Sequence, residues 1–260
     1  MRRMRRMRRM RRMSGMSGME VKISQLREKV EKNEAFNKIP KYYINLDRST
    51  DRREALEAEI ARYEVENIHR FKAIDGQDIK DIHQGEIDGV QYVNDYSDCT
   101  KAQIAITLSH LECIRRAGEK GNFPFIILED DVRFTLMPHW KKNIDEIITE
   151  LPEDCDVLSL TTRVRKKYEP GIHKKLLKND SAVAYLITEN GYNNYMKILY
   201  KNNYLIFDDI NPPIIDWKIR LNFEEYFIFP VLFLFEGLQK YSTHTGMQDI
   251  ISDNRYILYV

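Results

Sequence analysis

FPFIILEDDVRF, residues 123–134, sets a continuous apolar run directly before three adjacent acids, Glu129, Asp130 and Asp131. A short apolar run bounded by Gly118 and Gly121 on one side and by charge on the other is the pattern of a strand covered on both faces. Upstream, KYYINL (Lys41 to Leu46) is a short β-rich run ending in the polar cluster DRSTDRR, which reads as strand, loop and helix start. Leu56, Ile60 and Tyr63 recur at helical spacing and predict a helix over residues 54–63. RFKAIDG then closes on the turn signal Asp75-Gly76, and a polar loop through Asp98 precedes a second helix marked by Ile104, Leu108, Leu111 and Ile114. DVLSL near Asp156 and VAYLIT near Val183 are further strands, the latter leading into a helix over ENGYNNYMKILY. Pro212, Pro213 and Pro230 break the next segment into loops and short strands, and from Gly237 the tail is polar and irregular. Alternating elements of this kind predict an α/β sheet with helices on its faces. In such sheets ligands sit outside the carboxyl ends of the strands, which is where the three acids fall.

A chain of 260 residues with 43% hydrophobic side chains can bury one sizeable core. The formal charge of +1 is misleading, because MRRMRRMRRMRRM holds eight arginines and no acid, leaving 33 basic against 40 acidic residues from Ser14 onward. The chain therefore divides into a basic low-complexity leader over residues 1–37, disordered or a single exposed helix, and a mildly acidic body over 38–260. Such a body gives no reason to expect a specific nucleic-acid groove, and membrane contact is expected to be at most peripheral, through the leader. No run of about 18 apolar residues occurs, and no apolar segment follows the basic start, so a cytoplasmic location is expected. Cys99, Cys113 and Cys155 are odd in number and lack CxxC spacing, which argues against a disulfide framework and a thiolate zinc site.

Three clustered carboxylates repel one another at a strand end unless a cation or strong donors compensate. Oxygen-only ligation suits Mg²⁺ or Mn²⁺, which leave positions open for the phosphates of a nucleotide; a solvated acidic turn paired with Lys or Arg is the competing reading. Strand alternation would send Glu129 and Asp131 to one side and Asp130 to the other unless the chain turns there, and Asp131 is the best direct ligand. Asp216, in NPPIIDWK, sits in an apolar setting that raises a carboxylate's basicity; its alternative is a helix cap. His110 lies beside the apolar face of its helix, where a packed or capping role outweighs general-base work. A metal-dependent phosphoryl-transfer enzyme would share the acids, yet no GxxxxGK[ST] loop appears.

Taken in order, YYINLDRSTDRR, FKAIDG, AITLSHLECIRRA, FIILEDDVRF, AYLITENGYNNYM, PPIIDWKI and STHTG resemble glycosyltransferase family 25, over residues 42–253. The resemblance implies a GT-A type nucleotide-sugar-binding fold, a mixed and mostly parallel sheet flanked by helices. It implies transfer of galactose or glucose from a UDP-sugar, with inversion, to the hydroxyl of a glycan, lipooligosaccharide or collagen-like acceptor. By the same resemblance Glu129, Asp130 and Asp131 hold Mn²⁺ (or Mg²⁺) against the donor diphosphate, His244 completes the metal site and Asp216 is the catalytic acid residue. Asn45 of the INL strand, Asp47, Arg48 and Arg52 behind it, and Asp75 and Gly76 of the AIDG turn then line the donor nucleotide. The reading from another class is a catalytically inactive relative that serves as a binding or adhesion module.

Overall fold

Strand β1 (Lys41–Asn45) is buried along its whole length, so it needs a strand on each edge and cover on each face. A computed structural model supplies both; it describes residues 34–87, 89–95, 99–161, 168–174, 182–198, 200–201, 204–207, 224–229 and 231–235. The main sheet has seven strands in the spatial order β2 (Ile68–Lys72), β1, β5 (Phe125–Glu129), β9 (Ala184–Ile187), β7 (Val157–Ser159), β12 (Glu225–Phe229) and β8 (Gly171–Lys174). β2, β1 and β5 run parallel, β9 runs antiparallel to both β5 and β7, and β12 is parallel to β7. β8 pairs antiparallel with β12. The sheet is therefore mixed and mostly parallel, as expected, and the carboxyl ends of β2, β1, β5, β7 and β12 share one edge.

Helices α1 (Thr50–Arg62), α2 (Lys101–Gly118), α3 (Ile144–Thr149) and α4 (Glu189–Ile198) cover the faces. The period-two alternation of β5 supplies both cores: Phe125 and Ile127 pack with Leu108 and Ile114 of α2, while Ile126 and Leu128 pack with Leu56 of α1 and Ile147 of α3. A capping box starts α2, with Thr100 Oγ1 accepting from Gln103 N at 3.2 Å and Thr100 N donating to Gln103 Oε1 at 2.8 Å. No helix among the described residues is long and apolar enough to cross a membrane.

Three findings go beyond the sequence pattern. The polar stretch read as a loop through Asp98 contains β3 (Gln84–Ile87) and β4 (Val90–Asn94), which join β10 (Tyr200–Lys201) and β11 (Tyr204–Phe207) in a second sheet. β3 is largely exposed and has no apolar alternation to announce it. A small ribbon pairs β6 (Val132–Arg133) with β13 (Leu234–Phe235) directly after the acids. Finally, Phe36, placed by its sequence context in the leader, is fully buried on a helical turn over 34–38, with its ring 5.2 Å from Trp140 and 5.9 Å from Phe233. The core thus reaches back at least to Ala35, which is 4% exposed.

That turn is held by an unusual cation. Lys41 is fully buried, and its Nζ donates to the carbonyls of Phe36 at 2.5 Å and Ile39 at 2.6 Å. Burial pushes its pKa down to about 7, with the charge of Glu66 opposing. The folded protein then holds fewer protons than the unfolded chain between pH 7 and 10, so stability from this group rises with pH across that window and is at its floor below pH 7. Urea titrations should show wild type gaining roughly 2–4 kcal/mol relative to Lys41→Met between pH 6 and 10; a constant difference would refute the assignment.

Gly191 is dictated by contact. A Cβ there would stand 2.2 Å from the Asp156 carbonyl oxygen at the start of β7, backbone that cannot step aside. The same turn is capped by Thr188, whose Oγ1 accepts from Gly191 N at 3.0 Å and donates to the Cys155 carbonyl at 2.8 Å. Gly191→Ala should cost about 1–3 kcal/mol by overpacking, seen as a lower urea midpoint at unchanged slope.

Candidate active site

At the end of β5 the chain turns at Asp130 and Asp131 before β6 begins, and the turn gives the three acids three different surroundings. Asp130 points into the protein and is 5% exposed. Its Oδ2 accepts from Asn45 Nδ2 at 2.7 Å, and its Oδ1 lies 2.8 Å from Arg52 Nη1. Asn45 is the last residue of neighbouring β1, and Arg52 lies in the first turn of α1, so one carboxylate joins three elements. Burial raises the Asp130 pKa, while the Asn45 hydrogen bond and the Arg52 charge pull against it. Asn45 also receives Arg70 Nε at 3.1 Å and donates to the Ser49 carbonyl at 3.1 Å.

Glu129 keeps about a third of its side chain exposed and faces His110 of α2, with Nε2 at 3.4 Å from Oε1. The other ring nitrogen lies 2.8 Å from the Tyr185 hydroxyl on β9, and the two rings stack at 5.9 Å. The ring thus lies between the Tyr185 hydroxyl and the Glu129 carboxylate. His110 is packed, 1% exposed, as its helical position predicts. Its link to Tyr185 was not readable beforehand; the only signal is a hydroxyl-bearing ring in the otherwise aliphatic strand AYLI.

The remaining predicted donor residues form a polar rim beyond β1 and β2. Asp47 pairs with Arg70 at 2.6 Å and with Lys72 at 3.4 Å. Arg48 Nε reaches Asp75 Oδ2 at 2.6 Å, and Gln77 N donates to Asp75 Oδ1 at 2.9 Å; the Arg48 bond and then the Gln77 amide hold the Asp75 pKa low. At Gly76 a Cβ would lie 3.2 Å from the backbone of Lys101 and Ala102, a tight approach at the start of α2. Ser109 completes the junction, its Oγ accepting from Ile74 N at 2.8 Å and donating to the Ala105 carbonyl at 2.7 Å. Asn45, Asp47, Arg48, Arg52, Asp75, Gly76 and Asp130 thus lie along one edge, where their side chains mostly brace each other.

Asp131 is different. Its Oδ1 is buried and finds no hydrogen-bond partner among the described residues. Burial, then the charges of Glu129 and Asp130, push its pKa up to about 6, with Arg52 partly offsetting. Among the described residues no three His, Cys, Asp or Glu side chains converge as a full ligand set. Asp216 and His244 lie outside the described residues.

An acid whose folded pKa is raised contributes stability that is present below the unfolded value near 4 and lost as pH rises through 6. Asp131→Asn should therefore make the metal-free protein more stable above pH 6, by on the order of 1 kcal/mol, with the gain vanishing near pH 4. Thermal melts of both proteins across that range check this, and equal melting temperatures at pH 8 would show that Asp131 carries no electrostatic strain.

Over 237 residues the chain is 24% identical to procollagen galactosyltransferase 1-B of Xenopus laevis, an alignment covering 82% of this chain but only 37% of that protein. The sequence profile of glycosyltransferase family 25 (LPS biosynthesis protein) matches residues 38–210, which carry β1, the capped α2, the acidic turn and β9. With more than half of its length matched, and the sheet arranged as that resemblance requires, the chain belongs to glycosyltransferase family 25.

Proposed function

We propose that this protein transfers a hexose, galactose or glucose, from a UDP-sugar to the hydroxyl of a glycan, lipooligosaccharide or collagen-like acceptor, inverting the anomeric carbon. The observation that carries the reading is the buried, donor-less Oδ1 of Asp131 beside Glu129, at the carboxyl edge of the parallel strands. An uncompensated carboxylate is costly in a fold that needs only stability, and it fits a hard divalent cation such as Mn²⁺ or Mg²⁺. Asp131 and Glu129 would hold that ion, with His244 completing the set. When bound, the ion supplies neutralising charge for the departing diphosphate.

The chain's own residues do the rest. Asp130, locked by Asn45 and Arg52, fixes the turn that aims Asp131. His110 steadies Glu129 from behind. Arg48, 58% exposed, offers positive charge along the rim where the nucleotide lies. In the transfer step the acceptor oxygen bonds to the anomeric carbon, the bond from that carbon to the diphosphate oxygen breaks with its electron pair leaving on UDP, and Asp216 takes the acceptor proton. Such a base contributes about 10²- to 10⁴-fold in rate.

Isothermal titration with UDP and Mn²⁺ tests the site. Asp131→Asn should weaken UDP affinity in the presence of Mn²⁺ by more than about tenfold, or about 1.4 kcal/mol, whereas Asp216→Asn should keep that affinity and slow transfer by about 10²- to 10⁴-fold. Unchanged UDP and Mn²⁺ binding in the Asp131 variant would overturn the assignment. A panel of radiolabelled UDP-sugars identifies the donor, and absence of any turnover would favour a silent binding module.

A further inference from the structure

A cavity lies on the same edge, away from the acids. It encloses about 190 Å³ and is walled by Leu136, Trp140, Ile147, Ile172, Ile228 and Leu232. Its floor is built by the sheet, where Ile228 of β12 stands opposite Ile172 of β8. Trp140 is held in place as its Nε1 donates to the Leu232 carbonyl at 2.9 Å. Among the described residues the mouth carries one uncompensated positive charge, that of Lys141. His139 and Lys141 are exposed there, Lys142 is neutralised by Glu150, and Lys141 has no carboxylate partner among the described residues.

Backbone hydrogen bonds place this cavity relative to the acidic turn. Glu129 N donates to the Val183 carbonyl at 2.7 Å, Leu160 N to Ala184 at 2.9 Å, and Leu232 N to Leu160 at 2.9 Å. The cavity wall at Leu232 and the acids after Leu128 are therefore at one level of the sheet, three chain spacings apart, or about 14 Å at ~4.8 Å each. The two lie on different faces, for Glu129 is turned toward His110 of α2 whereas the cavity belongs to the core on the α1 and α3 side. A dry apolar cavity of about 150 Å³ suffices for a benzene ring, so this one takes an aryl group or a short acyl chain.

We propose that this cavity is a binding subsite for an amphipathic anion: an aryl or short acyl group in the apolar pocket, carrying a phosphate against Lys141 and His139. The charge at the mouth selects the phosphate end and disfavours a cationic side chain in the same position. Its existence as a binding site does not rest on the proposed transferase activity.

Phenyl phosphate is the probe, with phenol and inorganic phosphate as its two halves, titrated into the full chain and followed by calorimetry and ligand-observed NMR. Phenyl phosphate should bind at least about tenfold more tightly than either half. Val231→Trp, at another lining residue, should abolish binding by filling the space. Lys141→Glu, at an exposed position where folding is not at stake, should weaken it at least about fivefold. Absence of phenyl phosphate binding, affinity indifferent to both substitutions, or phenol binding equally well would each overturn the proposal. Donor hydrolysis in the same preparation reports separately on the transferase reading, since its absence alongside phenyl phosphate binding would sink that reading and leave the subsite standing.

Discussion

Everything at the carboxyl edge of the parallel strands depends on how one buried carboxylate is compensated. Asp130 sits where β1, β5 and α1 meet, and a charge at that depth is tolerable only with partners of good geometry. Asn45 and Arg52 provide them from two different elements. Once Asp130 is claimed in this way, the chain turns at the strand end, and the turn delivers Glu129 to His110 and leaves Asp131 with a buried oxygen that no donor among the described residues reaches. Three like charges in a row, which would repel on a straight strand, become one structural brace, one carboxylate facing His110 and one with a buried oxygen unpartnered among the described residues.

The brace is continuous with the rest of the edge. Arg70 reaches both Asn45 and Asp47, Arg48 ties the first loop to Asp75, and Ser109 ties the AIDG turn to α2. Two elements far apart in sequence are thus held to one plane by charge-assisted bonds. Individually the exposed pairs contribute little, since solvent screens them; their effect is geometric, holding a flat polar rim beside the acids. The apolar cavity by Trp140 obeys a different logic, its shape set by packing.

Raised carboxylates and a lowered amine occupy opposite ends of the same strands, and they mean different things. Lys41, at the amino end of β1, has two backbone carbonyls to satisfy it and serves to lock the helical turn around Phe36. Asp131, at the carboxyl end of β5, has a neighbourhood of like charge and no donor. Burial shifts both, but only the second leaves an interaction unmade, which is the mark of a site built for something else to enter.

The order of strands and helices was legible from the sequence because apolar runs such as FPFIIL and YYINL, and helical spacing at Ile104, Leu108 and Leu111, encode burial locally. The end of β5 was legible for the same reason, since composition changes abruptly after Leu128. What the sequence could not specify was everything decided by neighbours distant along the chain. The direction of β9 is not encoded in AYLIT, because an all-apolar strand reads alike in either orientation. The second sheet was hidden because β3 has an exposed face with no alternation. Which acid pairs with Arg52, which faces His110 and which is left unpartnered is a matter of where β1, α1 and α2 stand around β5, and only the tertiary structure brings those side chains within hydrogen-bonding reach.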